Sequence, residues 1–180
     1  MPENFLKCKR ILLVEDNELN VEIARTILQD VQAEVEVAAD GAIAVAMLQK
    51  APVGYYDVIL MDIQMPKMNG YQATEAIRKL PDERAQVPII AMTANAFEED
   101  RQVAFAAGMD DYLAKPIEID KLLRKLVKVL ERSKRRQIGK LQFRRRKRYY
   151  GDQNSDSESR RCREIARHLQ LLCEKDSGDI

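Results

Sequence analysis

Short apolar segments alternate along the first two thirds of the chain with longer stretches in which apolar residues recur every three or four positions. Three of the short segments, residues 11–14, 58–61 and 88–93, are continuously apolar, which is typical of parallel strands covered on both faces. Residues 33–38 alternate between polar and apolar instead, and residues 111–114 form only a short segment. The pattern therefore predicts a parallel sheet with these last two strands at its edges.

A helical pattern follows each predicted strand. Asp40 is placed to cap the second helix, and Gly108 is placed to end the fourth. Five strand and helix pairs within about 120 residues predict an α/β fold with a doubly wound, flavodoxin-like sheet of strand order 2-1-3-4-5, whose sites lie beyond the carboxyl ends of the strands. The predicted helices have their apolar residues within 23–31, 42–48, 71–80, 96–106 and 119–130.

The composition of the chain predicts a domain boundary. The chain has 180 residues, 46% hydrophobic and 33% charged, which suits one buried core with an extension. Residues 1–131 contain 15 basic and 22 acidic residues, whereas residues 132–148 contain 10 basic and no acidic residues. This change predicts one domain at 1–131 and a basic, partly helical or disordered extension at 132–180, in which a basic linker precedes a short C-terminal amphipathic segment. Because no membrane-spanning apolar run or secretory signal is found, we predict a cytoplasmic protein.

Polar residues whose side chains could bind a metal ion or take part in a reaction lie at the ends of four of the predicted strands. Glu15 and Asp16 follow the first, Asp62 ends the third, Thr93 ends the fourth and Lys115 follows the fifth. These ends meet at one edge of a parallel sheet, where three carboxylates would repel one another unless a cation lay between them. Oxygen ligands suit Mg²⁺, and a hydroxyl and an ammonium suit a phosphoryl group. The sequence therefore predicts phosphoryl transfer onto a carboxylate.

Four segments carry a resemblance to a known family: "ILLVEDNELN", "YDVILMDIQMPKMNG", "PIIAMTANA" and "GMDDYLAKP". Over residues 9–131 the chain resembles the receiver domains of two-component response regulators, most of all those of hybrid histidine kinases and phosphorelays. The resemblance implies a signalling module that is not an enzyme. It would accept a phosphoryl group from the phosphohistidine of a histidine kinase or a histidine phosphotransfer domain, with at most slow self-dephosphorylation.

The resemblance also implies roles for individual residues. Asp62 would be the phosphoacceptor, and Glu15, Asp16, Asp62 and the backbone carbonyl of Gln64 would bind Mg²⁺. Lys115, followed by a cis peptide bond to Pro116, would contact the phosphoryl group.

Two further positions would form the conformational switch, Thr93 with its hydroxyl and Tyr112 with its aromatic ring. Gln64 and Asn95 would set the rate at which water removes the phosphoryl group.

Other interpretations stay open at this point. A haloacid-dehalogenase-like phosphatase also uses an aspartate after a parallel strand, although it needs a second aspartate where this chain has Gln64. Glu15 and Asp16 could simply favour a helix dipole, and Tyr112 could simply pack. Residues 132–148 could bind nucleic acid or an anionic membrane as an output, or remain a solvated extension.

Overall fold

The computed structural model of the chain describes residues 3–94, 98–136, 138, 139 and 142. Met1–Lys134 form one compact unit, which contains the sheet, and Arg135–Ile180 form a second. The sheet has five parallel strands in the order β2-β1-β3-β4-β5. The predicted fold class, strand order and edge strands are therefore confirmed.

Strands and helices alternate along the first unit as the periodicity predicts. Each of the five strands begins and ends within one residue of its predicted position. Two short elements escaped prediction, a four-residue helix before the first strand and a 3-10 helix at Glu83–Gln86. The elements in chain order are α1 (Glu3–Leu6), β1 (Arg10–Val14), α2 (Glu18–Asp30), β2 (Glu34–Ala38), α3 (Gly41–Lys50), β3 (Val58–Asp62), α4 (Gly70–Arg78), β4 (Ile89–Thr93), α5 (Glu98–Ala106), β5 (Asp111–Ala114) and α6 (119–136).

Apolar residues on the two faces of the sheet form two hydrophobic cores. Leu13 and Leu60 face the core that is shared with α2 and α6, while Leu12 and Ile59 face the core shared with α3 and α4. Consecutive residues of a strand point to opposite faces, so strands covered on both sides must be apolar throughout. This explains the continuous apolar segments of β1, β3 and β4, all of whose central residues are buried.

Side-chain caps begin the helices on the carboxyl side of the sheet. Asn17 accepts hydrogen bonds from two backbone amides of α2, and the predicted cap Asp40 accepts one from Ile43 at 2.8 Å. Asn69 caps α4 and is followed by Gly70, whose backbone nitrogen donates to the carbonyl of Ile63 at 3.0 Å. A Cβ at Gly70 would lie 2.3 Å from the backbone oxygen of Asp62, so only glycine lets α4 begin this close to the end of β3.

The last described helix, α6, extends beyond its predicted end into the basic run. Arg132, Arg135 and Arg136 are helical and exposed, and residues 138, 139 and 142 are helical as well. The remainder of residues 132–148 and the chain after it lie outside the described residues. Within the part of the chain that the structure describes, no helix is long and apolar enough to cross a membrane.

Candidate functional site

Three carboxylates and one ammonium group meet at the carboxyl edge of the sheet. Glu15 follows β1, Asp62 ends β3 and Lys115 follows β5, as the sequence predicts. The Nζ atom of Lys115 lies 2.7 Å from Oε2 of Glu15 and 2.7 Å from Oδ2 of Asp62. One carboxylate oxygen each of Glu15, Asp16 and Asp62 lies within 4.8 Å of the other two. Lys115 therefore joins two acidic residues that lie at the ends of different strands.

Burial and charge oppose each other in this cluster. Glu15 is 2% exposed and Asp62 is 4% exposed, whereas Asp16 faces solvent. Burial raises the pKa of Asp62 above its usual value, and the Glu15 charge adds to this effect although Lys115 opposes it. Burial alone would lower the pKa of Lys115, but its bonds to Asp62 and Glu15 outweigh burial and raise it. The fold therefore holds an ammonium ion between carboxylates whose negative charge it does not fully compensate.

This donor set fits a hydrated divalent cation. One ammonium faces three carboxylates, so a cation would relieve the remaining repulsion. Carboxylate oxygens are the ligands that Mg²⁺ prefers, and Mg²⁺ usually keeps several waters. The exposure of Asp16 leaves one side of the cluster open to water. Glu15, Asp16 and Asp62 are therefore suited to hold Mg²⁺.

The side chain of Asn20, which is not among the residues predicted from the sequence, also belongs to the site. Its Nδ2 atom donates to Oε1 of Glu15 at 2.8 Å, while Lys115 holds the other oxygen. Both oxygens of this buried carboxylate are therefore fixed. A signal for this contact exists in the spacing, because Asn20 lies in the first turn of α2, three residues after the cap Asn17, and so can face back toward the end of β1.

Thr93 and Gln64 lie beside the cluster. The backbone nitrogen of Gln64 donates to Oδ1 of Asp62 at 3.3 Å, and Gln64 itself is exposed. Thr93 is buried at the end of β4, and its backbone oxygen accepts from the nitrogen of Lys115 at 2.7 Å. A cleft of about 270 Å³ is lined by Gln64, Thr93 and Asp100, among others. Space for a small group therefore adjoins the acidic cluster.

The remaining predicted residues lie farther from the carboxylates. Tyr112 is half-buried on β5 and contacts cations of α5 and α6 instead of the acidic cluster. Asn95 lies outside the described residues. The peptide bond between Lys115 and Pro116 is cis, as the resemblance implies. The roles assigned to Thr93, Tyr112, Gln64 and Asn95 stay predictions.

Sensor histidine kinases are among the known proteins whose sequences are similar to this chain. The chain is 44% identical over 113 residues to the sensor protein GacS of Pseudomonas syringae pv. syringae, which covers 62% of this chain and 12% of GacS. It is 42% identical over 112 residues to the signal transduction histidine-protein kinase BarA of Escherichia coli K12, with coverage of 62% and 12%. The matched segment thus spans about an eighth of the length of these two curated relatives.

Solved structures show the same fold. The receiver domain of the sensor histidine kinase PA1611 from Pseudomonas aeruginosa PAO1, which has a magnesium ion coordinated in its active site cleft, is 42% identical, with a TM-score of 0.62 and coverage of 69% of this chain and 98% of that one. The receiver domain of Ssk1 from Saccharomyces cerevisiae, solved with the histidine phosphotransfer protein Ypd1, is 28% identical, with a TM-score of 0.63 and coverage of 69% and 90%.

The match to one protein family covers most of the compact unit that contains the sheet. Residues 11–127 match the response regulator receiver domain family, a segment that includes all five strands except the first residue of β1. The same segment contains the whole acidic cluster and Lys115. Because this match covers more than half of the chain, the protein belongs to the response regulator receiver domain family.

Proposed function

We propose that Asp62 accepts a phosphoryl group from the phosphohistidine of a histidine kinase or a histidine phosphotransfer protein. The observation that carries this proposal is the position of Asp62, which is buried at the end of β3. Its Oδ2 atom accepts a hydrogen bond from the ammonium of Lys115, and its Oδ1 atom accepts one from the backbone amide of Gln64. The kinase names of the relatives and the complex of Ssk1 with Ypd1 support this class of donor.

The transfer needs no general base. An oxygen of the Asp62 carboxylate attacks the phosphorus atom in line, the P–N bond to the donor imidazole breaks, and its electron pair remains on the imidazole. Because Lys115 bonds to Asp62 before transfer, its ammonium is already within reach of the phosphoryl oxygens that arrive there. Mg²⁺, held by Glu15, Asp16, Asp62 and the Gln64 carbonyl, would supply positive charge to the transferred group.

The proposed conformational change begins at Thr93. Once Asp62 carries a phosphoryl group, the Thr93 hydroxyl can donate a hydrogen bond to it, and this bond exists in only one of two arrangements. Movement of Thr93 would free space into which the ring of Tyr112 turns. Full reversal of a 1:99 equilibrium requires about 5.5 kcal/mol of differential stabilisation, which would come from charge-assisted hydrogen bonds to the phosphoryl group and its ion pair with Lys115 together. Gln64 and Asn95 would then influence the lifetime of the phosphorylated state.

Exposed apolar residues next to the site offer a surface for the donor protein. Leu19 is 70% exposed and Ile23 is 44% exposed, and both belong to α2, which begins just after Glu15 and Asp16. They lie one helical turn apart and therefore share a face. We propose that the donor protein covers this face when its phosphohistidine approaches Asp62.

Labelling with acetyl phosphate and Mg²⁺, followed by intact-mass measurement, tests the acceptor. Asp62→Asn should abolish the phosphorylated species. The matched control is Asp57→Asn at the other end of β3, where the carboxylate binds Lys9 and the amide of Arg10; this variant should still be labelled. Undiminished labelling of Asp62→Asn would refute the assignment. Continuous release of phosphate from a phosphomonoester, instead of one phosphoryl group per chain, would favour a phosphatase.

A further inference from the structure

The ring of Tyr112 lies against two cations that belong to two different helices. The Nζ atom of Lys125, on α6, lies 4.5 Å from the ring centroid. The guanidinium carbon of Arg101, on α5, lies 5.4 Å from the same centroid. Both distances are within the range in which a cation is attracted to an aromatic ring. Tyr112 is therefore contacted by positive charge from both helices that flank the edge strand β5.

Lys125 is held in place by Asp111, a buried acid that precedes Tyr112 on β5. Its Nζ atom lies 2.6 Å from Oδ1 of Asp111, which is 5% exposed, and Lys128 reaches the other oxygen of Asp111 at 3.3 Å. Burial would raise the pKa of Asp111, but its bonds to Lys125 and to the amide of Tyr112 outweigh burial and lower it. The Asp111 carboxylate is therefore held in its charged form.

Asp111 and Tyr112 are consecutive, so their side chains point to opposite faces of the sheet. Lys125 contacts both, and it can do so because β5 is an edge strand around which a long side chain can reach. The Lys125 side chain is only 25% exposed. Partial removal of a cation from water strengthens its attraction to a ring. Lys125 is thus a fixed contact for Tyr112 and not a freely moving surface charge.

Arg101, on α5, is the second cation that contacts the ring of Tyr112. It is exposed, and its guanidinium also lies 5.7 Å from the ring of Phe105, one turn later on α5. Phe105 is 42% exposed, so Arg101 lies over two partly exposed rings at the surface. Neither cation of Tyr112 comes from the strand that bears it. Rotation of the side chain about its Cα–Cβ bond therefore changes the distance of the ring from both cations.

We propose that Arg101 and Lys125 are positioning residues that hold the Tyr112 ring in its half-exposed position and so oppose the inward turn of the switch. This inference rests on the proposed function, because it concerns the equilibrium that phosphorylation of Asp62 would shift. A ring that turns inward leaves both cations. Loss of one such contact should raise the population of the inward state roughly two- to fivefold.

The test measures how tightly the full chain binds trifluoroberyllate, a phosphoryl mimic, in the presence of Mg²⁺. When the binding-competent state is a minor one, apparent affinity rises with its population. Arg101→Gln and Lys125→Gln should therefore each bind trifluoroberyllate roughly two- to fivefold more tightly than the parent. Arg101→Lys keeps a cation, and Lys128→Gln removes a partner of Asp111 that has no ring contact among the described residues. Both controls should bind as the parent does.

A second readout reports on the ring itself. Ring carbon signals of selectively ¹³C-labelled tyrosine, with Tyr112→Phe used for assignment, should move part of the way toward the bound position in free Arg101→Gln and Lys125→Gln. In a Tyr112→Leu background the same two substitutions should leave trifluoroberyllate affinity unchanged, since no ring remains to be held. A purely structural role of these cations would persist in that background.

The outcomes separate this inference from the proposed function. Unchanged or weaker binding by both Arg101→Gln and Lys125→Gln, with a parent that responds normally, would overturn the proposed role of the cations. A parent chain that neither binds trifluoroberyllate nor accepts phosphate on Asp62 would instead overturn the proposed function. Equal effects of Lys125→Gln and Lys128→Gln would assign the effect to Asp111 and would also overturn the inference.

Discussion

Replacement of Lys115 by methionine should make the receiver domain less stable in a way that depends on pH and on Mg²⁺. The substitution keeps most of the apolar stem of the side chain and removes the ammonium. Two contacts of 2.7 Å disappear, one to Glu15 and one to Asp62, and both acids remain buried. Lys115→Met therefore leaves two buried carboxylates close together without the cation that joined them.

The expected loss can be bounded from two sides. Hydrogen bonds to charged groups contribute about 1.5–3 kcal/mol each, so two of them suggest about 3–6 kcal/mol. The loss cannot greatly exceed the cost of protonating one carboxyl group, which is about 5 kcal/mol at pH 7.5 for a group with an ordinary pKa near 4. We therefore expect the free energy of unfolding to fall by about 3–5 kcal/mol, as for other broken buried ion pairs. For a domain of this size this corresponds to roughly 4 °C in the melting temperature per kcal/mol.

The sign of the pH dependence follows from Asp62. Its pKa is raised in the folded state, so the stability it contributes is complete below its ordinary pKa and is lost as pH rises through the folded value. Lys115 opposes this rise, and its removal moves the pKa of Asp62 further upward. The deficit of Lys115→Met should therefore be largest at pH values above the folded pKa of Asp62 and should shrink as the pH falls toward the ordinary pKa of an aspartate, about 4.

Urea denaturation followed by circular dichroism, at several pH values with and without Mg²⁺, measures this deficit. Millimolar Mg²⁺ should recover part of it, because a bound cation replaces the missing charge and stabilises the folded state by mass action. Lys67→Met is the control, since Lys67 is 77% exposed and pairs with Asp40 at 3.2 Å, and it should cost less than about 1 kcal/mol. A deficit of Lys115→Met that is equally small, or independent of both pH and Mg²⁺, would refute the reasoning.

Three further substitutions test docking, metal binding and packing. Leu19→Glu should slow phosphotransfer from a phosphohistidine protein roughly tenfold without changing acetyl phosphate labelling, whereas Val53→Glu, at a residue 48% exposed before β3, should change neither; equal losses with both donors would contradict a docking role. Asn20→Ala should weaken Mg²⁺ binding roughly tenfold in an NMR titration, because Glu15 loses the bond that orients it, and unchanged binding would refute this. Arg78→Lys should cost about 2 kcal/mol in urea denaturation, because Arg78 donates to three backbone oxygens and one carboxylate that a single ammonium cannot all reach; a loss below about 0.5 kcal/mol would contradict it.

The strands were predictable because their sequence pattern and their burial have the same cause. Strand β3 is buried at every position, and β2 has its polar residues at alternate positions with only Ala38 fully buried. Helix α1 and the 3-10 helix at Glu83–Gln86 have four residues each, which is too short for a period of 3.6 to be recognised. Where a pattern covers several turns it identifies the element, and where it covers one turn it does not.

The acidic cluster was predictable for a topological reason. In a parallel sheet the carboxyl ends of all strands share one edge, so Glu15, Asp62 and Lys115 had to come near one another once their strands were recognised. Their residue types then indicate a cation and a phosphoryl group. The contact of Asn20 with Glu15 required more, namely the direction in which the first turn of α2 points its side chains. The positions of the strand ends determine which elements lie near one another. The rotation of a helix about its axis determines which of its side chains make contact.

Helix α6 shows what this rotation decides. Lys125 and Lys128 lie three residues apart, so they share a helix face, and both bind Asp111. The sequence therefore predicts a basic face but does not distinguish the two residues. Burial of Leu122 and Leu126 against the core determines how α6 is turned toward β5, and in this orientation the ammonium of Lys125 lies 4.5 Å from the ring of Tyr112. The apolar residues of α6 thus select which lysine contacts the proposed switch, so a change in their packing should alter the switch without any change in its charged residues.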